Sequence, residues 1–113
     1  INEGWAGHPT LKVVKSVDNK FKSLAPFKNM PKLESLYLAN NSVSTLTGCE
    51  GLTSLKFLHL RRNKIEKIEE ELPELPALEY LNLRSNKIPD LENMLRLFTT
   101  YGATLKDLNV INC

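Results

Sequence analysis

The feature that most restricts how this chain can fold is the spacing of apolar residues in LKFLHLRRNKIEKI, where Leu55, Leu58, Leu60 and Ile65 fall at steps of 3, 2 and 5. An amphipathic helix repeats every 3.6 residues and a half-buried strand every 2, so the stretch is neither alone. The same eleven-place pattern, with Asn63 at its ninth place, recurs from starts at Leu11, Leu33, Leu55, Leu78 and Leu105, which are 22, 22, 23 and 27 residues apart. A period in this range implies units that cannot bury their apolar side alone and gain stability by stacking on one another.

The second unit, LESLYLANNSV, and the fourth, LEYLNLRSNKI, fill every fixed place. The first, LKVVKSVDNKF, keeps Leu11, Val14, Asn19 and Phe21 but sets Ser16 where an inward leucine belongs, and is expected to be looser. The last, LKDLNVINC, puts Cys113 in the asparagine place. Further apolar pairs follow each turn: Leu24 and Phe27, Leu46 and Cys49, Ile68 and Leu72, Leu91 and Met94. They are expected to face the same core, with Met30, Leu52 and Leu75 closing each unit. In the fourth unit Leu91, Met94, Leu95 and Phe98 recur at helical spacing behind Asp90 as N-cap, which predicts a helix from Leu91 to about Tyr101, ending near Gly102. Pro26, Pro31, Pro73 and Pro76 restrict the other returns to 3₁₀ turns or short helix. The expected fold is an α/β solenoid, about five short parallel strands on the concave face and short helices or 3₁₀ turns on the convex side, in a single domain over residues 1–113.

Side chains alternate across a strand, so inward fourth and sixth places send the third, fifth and seventh to the open face. Asn19, Asn41, Asn63 and Asn86, with Cys113 in the same place, are expected at the tight turn as a structural ladder that satisfies backbone groups. Cys49 and Cys113 read as small buried apolar groups. The open third places are Val13, Ser35, Phe57, Tyr80 and Asp107; the fifth are Lys15, Tyr37, His59, Asn82 and Asn109; the seventh are Val17, Ala39, Arg61, Arg84 and Ile111. With strands about 4.8 Å apart, Tyr37, Phe57, His59, Arg61, Tyr80, Asn82 and Arg84 should form one patch with Arg62 at its edge. Aromatic residues and arginines dominate interface hot spots, so this patch is the candidate partner-binding site. Packing of Phe57 on Tyr80 across adjacent strands is the blander alternative. Two arginines on neighbouring strands repel unless something anionic or aromatic offsets them, which points to a partner with an acidic or aromatic surface.

Other chemistry finds little support. Fifteen Lys and Arg against 13 Asp and Glu leave a net charge of +2, too small for electrostatics alone to hold a nucleic acid. No stretch has the length of uncharged apolar residues that a membrane span requires. Cys49 and Cys113 form no CxxC pair, which makes a reducing, intracellular setting the simpler reading. His8 and His59 stand apart, and no Gly-rich phosphate loop, GxSxG or HExxH occurs, so neither catalysis nor a metal or other cofactor is expected. The glutamates Glu66, Glu69, Glu70, Glu71 and Glu74 lack the loop spacing of a calcium site and read as a solvated acidic surface. The opening INEGWAGHP has neither a signal-peptide pattern nor an initiator Met, and the stack starts and stops within units; the chain reads as a piece of a longer solenoid whose uncapped ends would associate.

LESLYLANNSV, LKFLHLRRNKI and LEYLNLRSNKI resemble the short, 22-residue class of leucine-rich repeats typified by the repeat regulator of type 1 protein phosphatase. That class includes spliceosomal, axonemal dynein, acidic nuclear and ciliary radial-spoke repeat proteins, and the run from LHLRRNKIEKIEEELPELPALEYLNLRSNKI to LKDLNVINC is most similar to the radial-spoke branch. The resemblance implies a non-catalytic adaptor that grips another protein with its concave face as part of a larger complex, in the cytoplasm or the cilium and axoneme, with the nucleus as alternative. An RNA-associated factor, with Phe57 and Tyr80 stacking on bases and Arg61, Arg62 and Arg84 on phosphates, or a phosphatase-regulator-like adaptor are the competing readings.

Overall fold

The computed structural model describes residues 8–111 and 113. Each repeat contributes a three-residue strand: β1 (Val13–Lys15), β2 (Ser35–Tyr37), β3 (Phe57–His59), β4 (Tyr80–Asn82) and β5 (Asp107–Asn109). They form one parallel sheet in chain order. Register follows the repeat: Val13, Ser35, Phe57, Tyr80 and Asp107 stand in one row, as do Lys15, Tyr37, His59, Asn82 and Asn109. The inward row between them holds Val14, Leu36, Leu58, Leu81 and Leu108.

Burial explains why this register is the stable one. A one-residue slip would turn the leucines of β2 to β4 out to water. Leu36, Leu58 and Leu81 of the central strands are at most 2% exposed, as are Leu38, Leu60 and Leu83 two places on. The same places in the outer repeats, Val14, Leu108 and Val110, are only half-buried, because each repeat is covered by its neighbours and these have one neighbour among the described residues. Ser16 sits here too, half-buried, and its hydroxyl accepts from Asn19 Nδ2 at 3.0 Å, so the position missing an inward leucine is held by a local polar contact.

After each of the first four strands the chain turns through a residue with positive φ: Asp18 (60°), Asn40 (56°), Arg62 (57°) and Ser85 (60°). The tight turn is locked from repeat to repeat. The N–H of Asn40 donates to the Arg61 carbonyl at 3.0 Å, that of Arg62 to Arg84 at 2.9 Å, and that of Ser85 to Ile111 at 3.0 Å.

The convex returns are irregular apart from a 3₁₀ turn over Ala25–Phe27, with Pro26 in its first positions, and one helix, α1 (Leu91–Tyr101). The Asp90 carboxylate caps α1 by accepting the Asn93 N–H at 3.0 Å, and the Gly102 N–H closes it on the Phe98 carbonyl at 2.9 Å. The bounds agree with the expectation, but the inward face does not. Leu91, Leu95 and Phe98 are 68%, 51% and 53% exposed, while Leu97 and Tyr101 are buried and Met94 half-buried. Polar contacts to the preceding repeat set this rotation. Asn93 Oδ1 accepts from the Ile68 N–H at 2.9 Å, Arg96 Nη1 donates to the Ile68 carbonyl at 2.7 Å, and the Tyr101 hydroxyl donates to the Pro73 carbonyl at 3.0 Å. Asn93, Leu97 and Tyr101 are four residues apart and therefore share a face. Burial beside Cys49 pushes the Tyr101 phenol well above its ordinary pKa, so it remains a donor.

Two further returns carry specific contacts, and the first corrects an expectation. Glu69 is half-buried rather than solvated: its Oε1 accepts from Thr45 Oγ1 at 2.7 Å and its Oε2 is enclosed. Gly51 adopts φ +87°, and a Cβ there would lie 3.0 to 3.2 Å from Oδ1, Cα and N of Asn29 in the preceding repeat. Gly51→Ala is expected to lower unfolding free energy by about 1–2 kcal/mol from the left-handed backbone alone. The measurement is a urea unfolding curve, and an unchanged midpoint would mean that the loop relaxes freely.

Candidate functional site

The open face of the sheet carries two ring stacks. Phe57 on β3 and Tyr80 on β4 occupy the third places and lie parallel, with centroids 4.6 Å apart and 1° between planes. Tyr37 on β2 and His59 on β3 occupy the fifth places and stack at 4.4 Å and 24°. Both distances follow the strand spacing of about 4.8 Å, since a rigid ring standing upright on one strand meets the ring at the same place on the next. Lys15 on β1 ends the second stack, its Nζ 5.5 Å from the Tyr37 centroid. That separation is in the range of a cation–π contact.

Packing of Phe57 on Tyr80, the blander alternative at the level of sequence, is therefore realised. It does not hide the rings. All four remain half-buried rather than buried. Burial of the His59 imidazole lowers its pKa below 6.5, so the ring is neutral at neutral pH.

Beside the stacks lies a cavity of about 340 Å³, lined by Tyr37, Phe57, His59, Tyr80, Leu81, Asn82, Asp107 and Asn109. Five of the eight candidate partner-binding residues line it. Asn82 contributes less than its position suggests, because its Oδ1 is occupied by the N–H of Arg84 at 3.0 Å; Asn109 makes the same turn to Ile111 at 3.1 Å. Arg61, Arg62 and Arg84 lie outside the lining. Arg61 and Arg62 are exposed, and Arg62 occupies the left-handed turn position. Arg84 is half-buried, with its Nε enclosed and unpartnered. Among the described residues none of the three is in an ion pair; the pairs run from Arg96 to Glu70 and Glu92 and from Lys106 to Glu79. Asp107 and Asn109 are the lining residues that sequence reasoning placed on this face without singling them out. Only their position beside a tall ring makes them part of a cavity.

The asparagine row runs along the edge of the face. Asn41, Asn63 and Asn86 are 5–6% exposed. Each accepts from a backbone N–H of the preceding repeat, from Phe21 at 3.2 Å, Val43 at 3.0 Å and Ile65 at 3.0 Å. Each also donates to the sixth-place carbonyl of that repeat, Ser16 at 2.9 Å, Leu38 at 2.9 Å and Leu60 at 2.8 Å. Cys113 continues the series by donating from Sγ to Leu83 at 3.1 Å. Two expectations need correction. Asn19 is exposed and, among the described residues, its side chain bonds only to Ser16 Oγ and the Val17 carbonyl, within its own turn, because no described strand precedes β1. Cys113 is exposed rather than buried, since no described repeat covers it from the other side.

The two thiols should consequently differ in reactivity. Burial, with Glu50 nearby, pushes Cys49 up to about 12, leaving essentially no thiolate at neutral pH. An aromatic disulfide reagent is expected to label one thiol per native chain, at Cys113, and both after denaturation. Rapid native labelling of Cys49 would show that the convex returns open easily.

The leucine rich repeat family's sequence profile matches residues 9–65, and a profile of two leucine rich repeats matches residues 53–97. Together with the parallel register and the asparagine row, this match establishes that the chain belongs to the leucine-rich repeat family. Domains of this family generally mediate protein–protein interaction and are typically non-catalytic. No curated protein and no solved structure matches the chain.

Proposed function

We propose that this chain is a protein-binding scaffold that grips its partner with the open face of the sheet, and that it serves as a structural subunit of a larger assembly such as the axonemal radial spoke. The observation that carries the first part is the cluster of half-exposed stacked rings, together with Arg61, Arg62 and Arg84, three guanidinium groups without a carboxylate partner among the described residues. Two exposed guanidinium groups and a half-buried one whose Nε is enclosed without a partner favour an acidic segment, which supplies the fork-like acceptors they match. The second part rests on the resemblance of LHLRRNKIEKIEEELPELPALEYLNLRSNKI to the radial-spoke repeats, and it carries a location in the cilium and axoneme with it.

A photo-crosslinking side chain at position 109 on the open face, with one at position 67 on the convex return as control, tests the face directly. In extract of ciliated cells the first is expected to capture a protein and the second not. Capture from position 67 alone would move the interface to the other side. Nuclease-sensitive capture, weakening steeply with salt, would favour the RNA-associated reading instead.

A further inference from the structure

The two ring stacks end differently. On the fifth places the outer face of Tyr37 is covered by the cation of Lys15, 5.5 Å from the centroid. On the third places Phe57 covers one face of Tyr80, and the other face looks toward β5, where the residue in register is Asp107. Aspartate is short and tyrosine is tall. The sheet therefore steps down from Tyr80 to Asp107, and the cavity, which extends from Tyr37, Phe57 and His59, reaches over this step, with Asn82 and Asn109 beside it.

Asp107 is exposed, and its carboxylate has neither an ion pair nor a side-chain hydrogen bond among the described residues. Its neighbour Lys106 is turned to Glu79 at 3.5 Å. The step thus joins an open π face to an unpaired anion.

We propose that this step is a guanidinium subsite: an arginine side chain of a partner protein lies flat on the free face of Tyr80 and donates two N–H groups to the Asp107 carboxylate. The inference deepens the reading of the open face as protein-binding and rests on it. Shape and charge both select arginine. A planar guanidinium covers a ring face and pairs with a carboxylate through two parallel bonds, whereas an ammonium is a strongly hydrated point charge that does neither as well. The neutral imidazole of His59 adds no repulsion to the cavity. Lys15 above Tyr37 is the same kind of contact made within the chain.

The subsite also gives the face a polarity. Its acid stands at the third place of β5, while Arg61 and Arg84 stand at the seventh places of the two preceding repeats. At a rise of about 3.3 Å per residue the two levels are at most about 13 Å apart. The fitting partner segment thus presents an arginine and, offset from it along the strands by about that distance and across them by one or two strand spacings, a carboxylate.

The test is a titration of the 113-residue chain with acetyl-arginine methylamide, followed by NMR of the Tyr80 ring and the Asp107 amide, with the lysine and citrulline analogues in parallel. Arginine is expected to shift both signals saturably. Citrulline, which keeps the shape and lacks the charge, should not, and lysine should bind more weakly. Asp107→Asn, at an exposed position, should reduce arginine affinity about tenfold, as expected when one charge-assisted contact is lost. Equal shifts from citrulline or lysine, or an unchanged affinity of Asp107→Asn, would overturn the subsite. Capture from position 109 is read independently of this titration. Its persistence without arginine binding removes only the subsite, and its loss removes the wider reading with it.

Discussion

Asn63→Ala is expected to lower the unfolding free energy by about 2 kcal/mol, because it strips a buried N–H of its acceptor. Asn63 Oδ1 accepts from the Val43 N–H at 3.0 Å, and its Nδ2 donates to the carbonyls of Leu38 at 2.9 Å and Arg61 at 3.3 Å. The two carbonyls keep other partners, since Leu38 also accepts from Asn41 Nδ2 and Arg61 from the Asn40 N–H. The Val43 N–H has no second acceptor among the described residues, and burial keeps water from replacing one. The loss is therefore that of a single unsatisfied donor rather than three broken bonds. With a urea dependence of about 1–3 kcal/mol/M the midpoint should fall by roughly 1 M. Asn19→Ala is the internal control: its amide is exposed and, among the described residues, bonds only within its own turn, so a change under about 0.5 kcal/mol is expected. Equal effects at the two positions would mean that the bonds between repeats are not what stabilises the turns.

Replacing Tyr80, Arg61 and Arg84 together by alanine is expected to abolish partner capture from position 109 while the domain stays folded. Truncating Tyr80 removes its stack on Phe57, worth about 0.5–1.5 kcal/mol beyond area burial. Removing the two arginines breaks no ion pair among the described residues. The triple variant should thus lose binding while still unfolding cooperatively, its urea midpoint lowered only by the lost Tyr80 packing, whereas Asn63→Ala should lower the midpoint and keep binding. Undiminished capture by the triple variant would place the interface elsewhere.

How much could be read beforehand differs from element to element. The strand rows were legible because a period of 22 or 23 residues leaves each fixed place opposite its equivalent; Phe57, Tyr80 and Asp107 meet in register although 27 residues separate the last two starts. The insertion is absorbed by α1 on the far side. The asparagine row was legible as well, but the exposure of Asn19 and Cys113 was not, since it depends on what covers the outer repeats. The inward face of α1 could not be read from hydrophobicity: Leu91, Leu95 and Phe98 form one apolar stripe and Met94, Leu97 and Tyr101 another. Bonds from Asn93, Arg96 and Tyr101 to the preceding repeat decide between them.

On the open face the sequence named the rings and the arginines, while the cavity emerged only from ring orientation and the height difference between Tyr80 and Asp107. The stack, its register and the division between core and open face follow from a short-range period repeated along the chain, and so could be read from the residues alone. Only the tertiary structure decided which way α1 turns, which rings pair and where a cavity remains, because those depend on contacts between residues that the period does not relate.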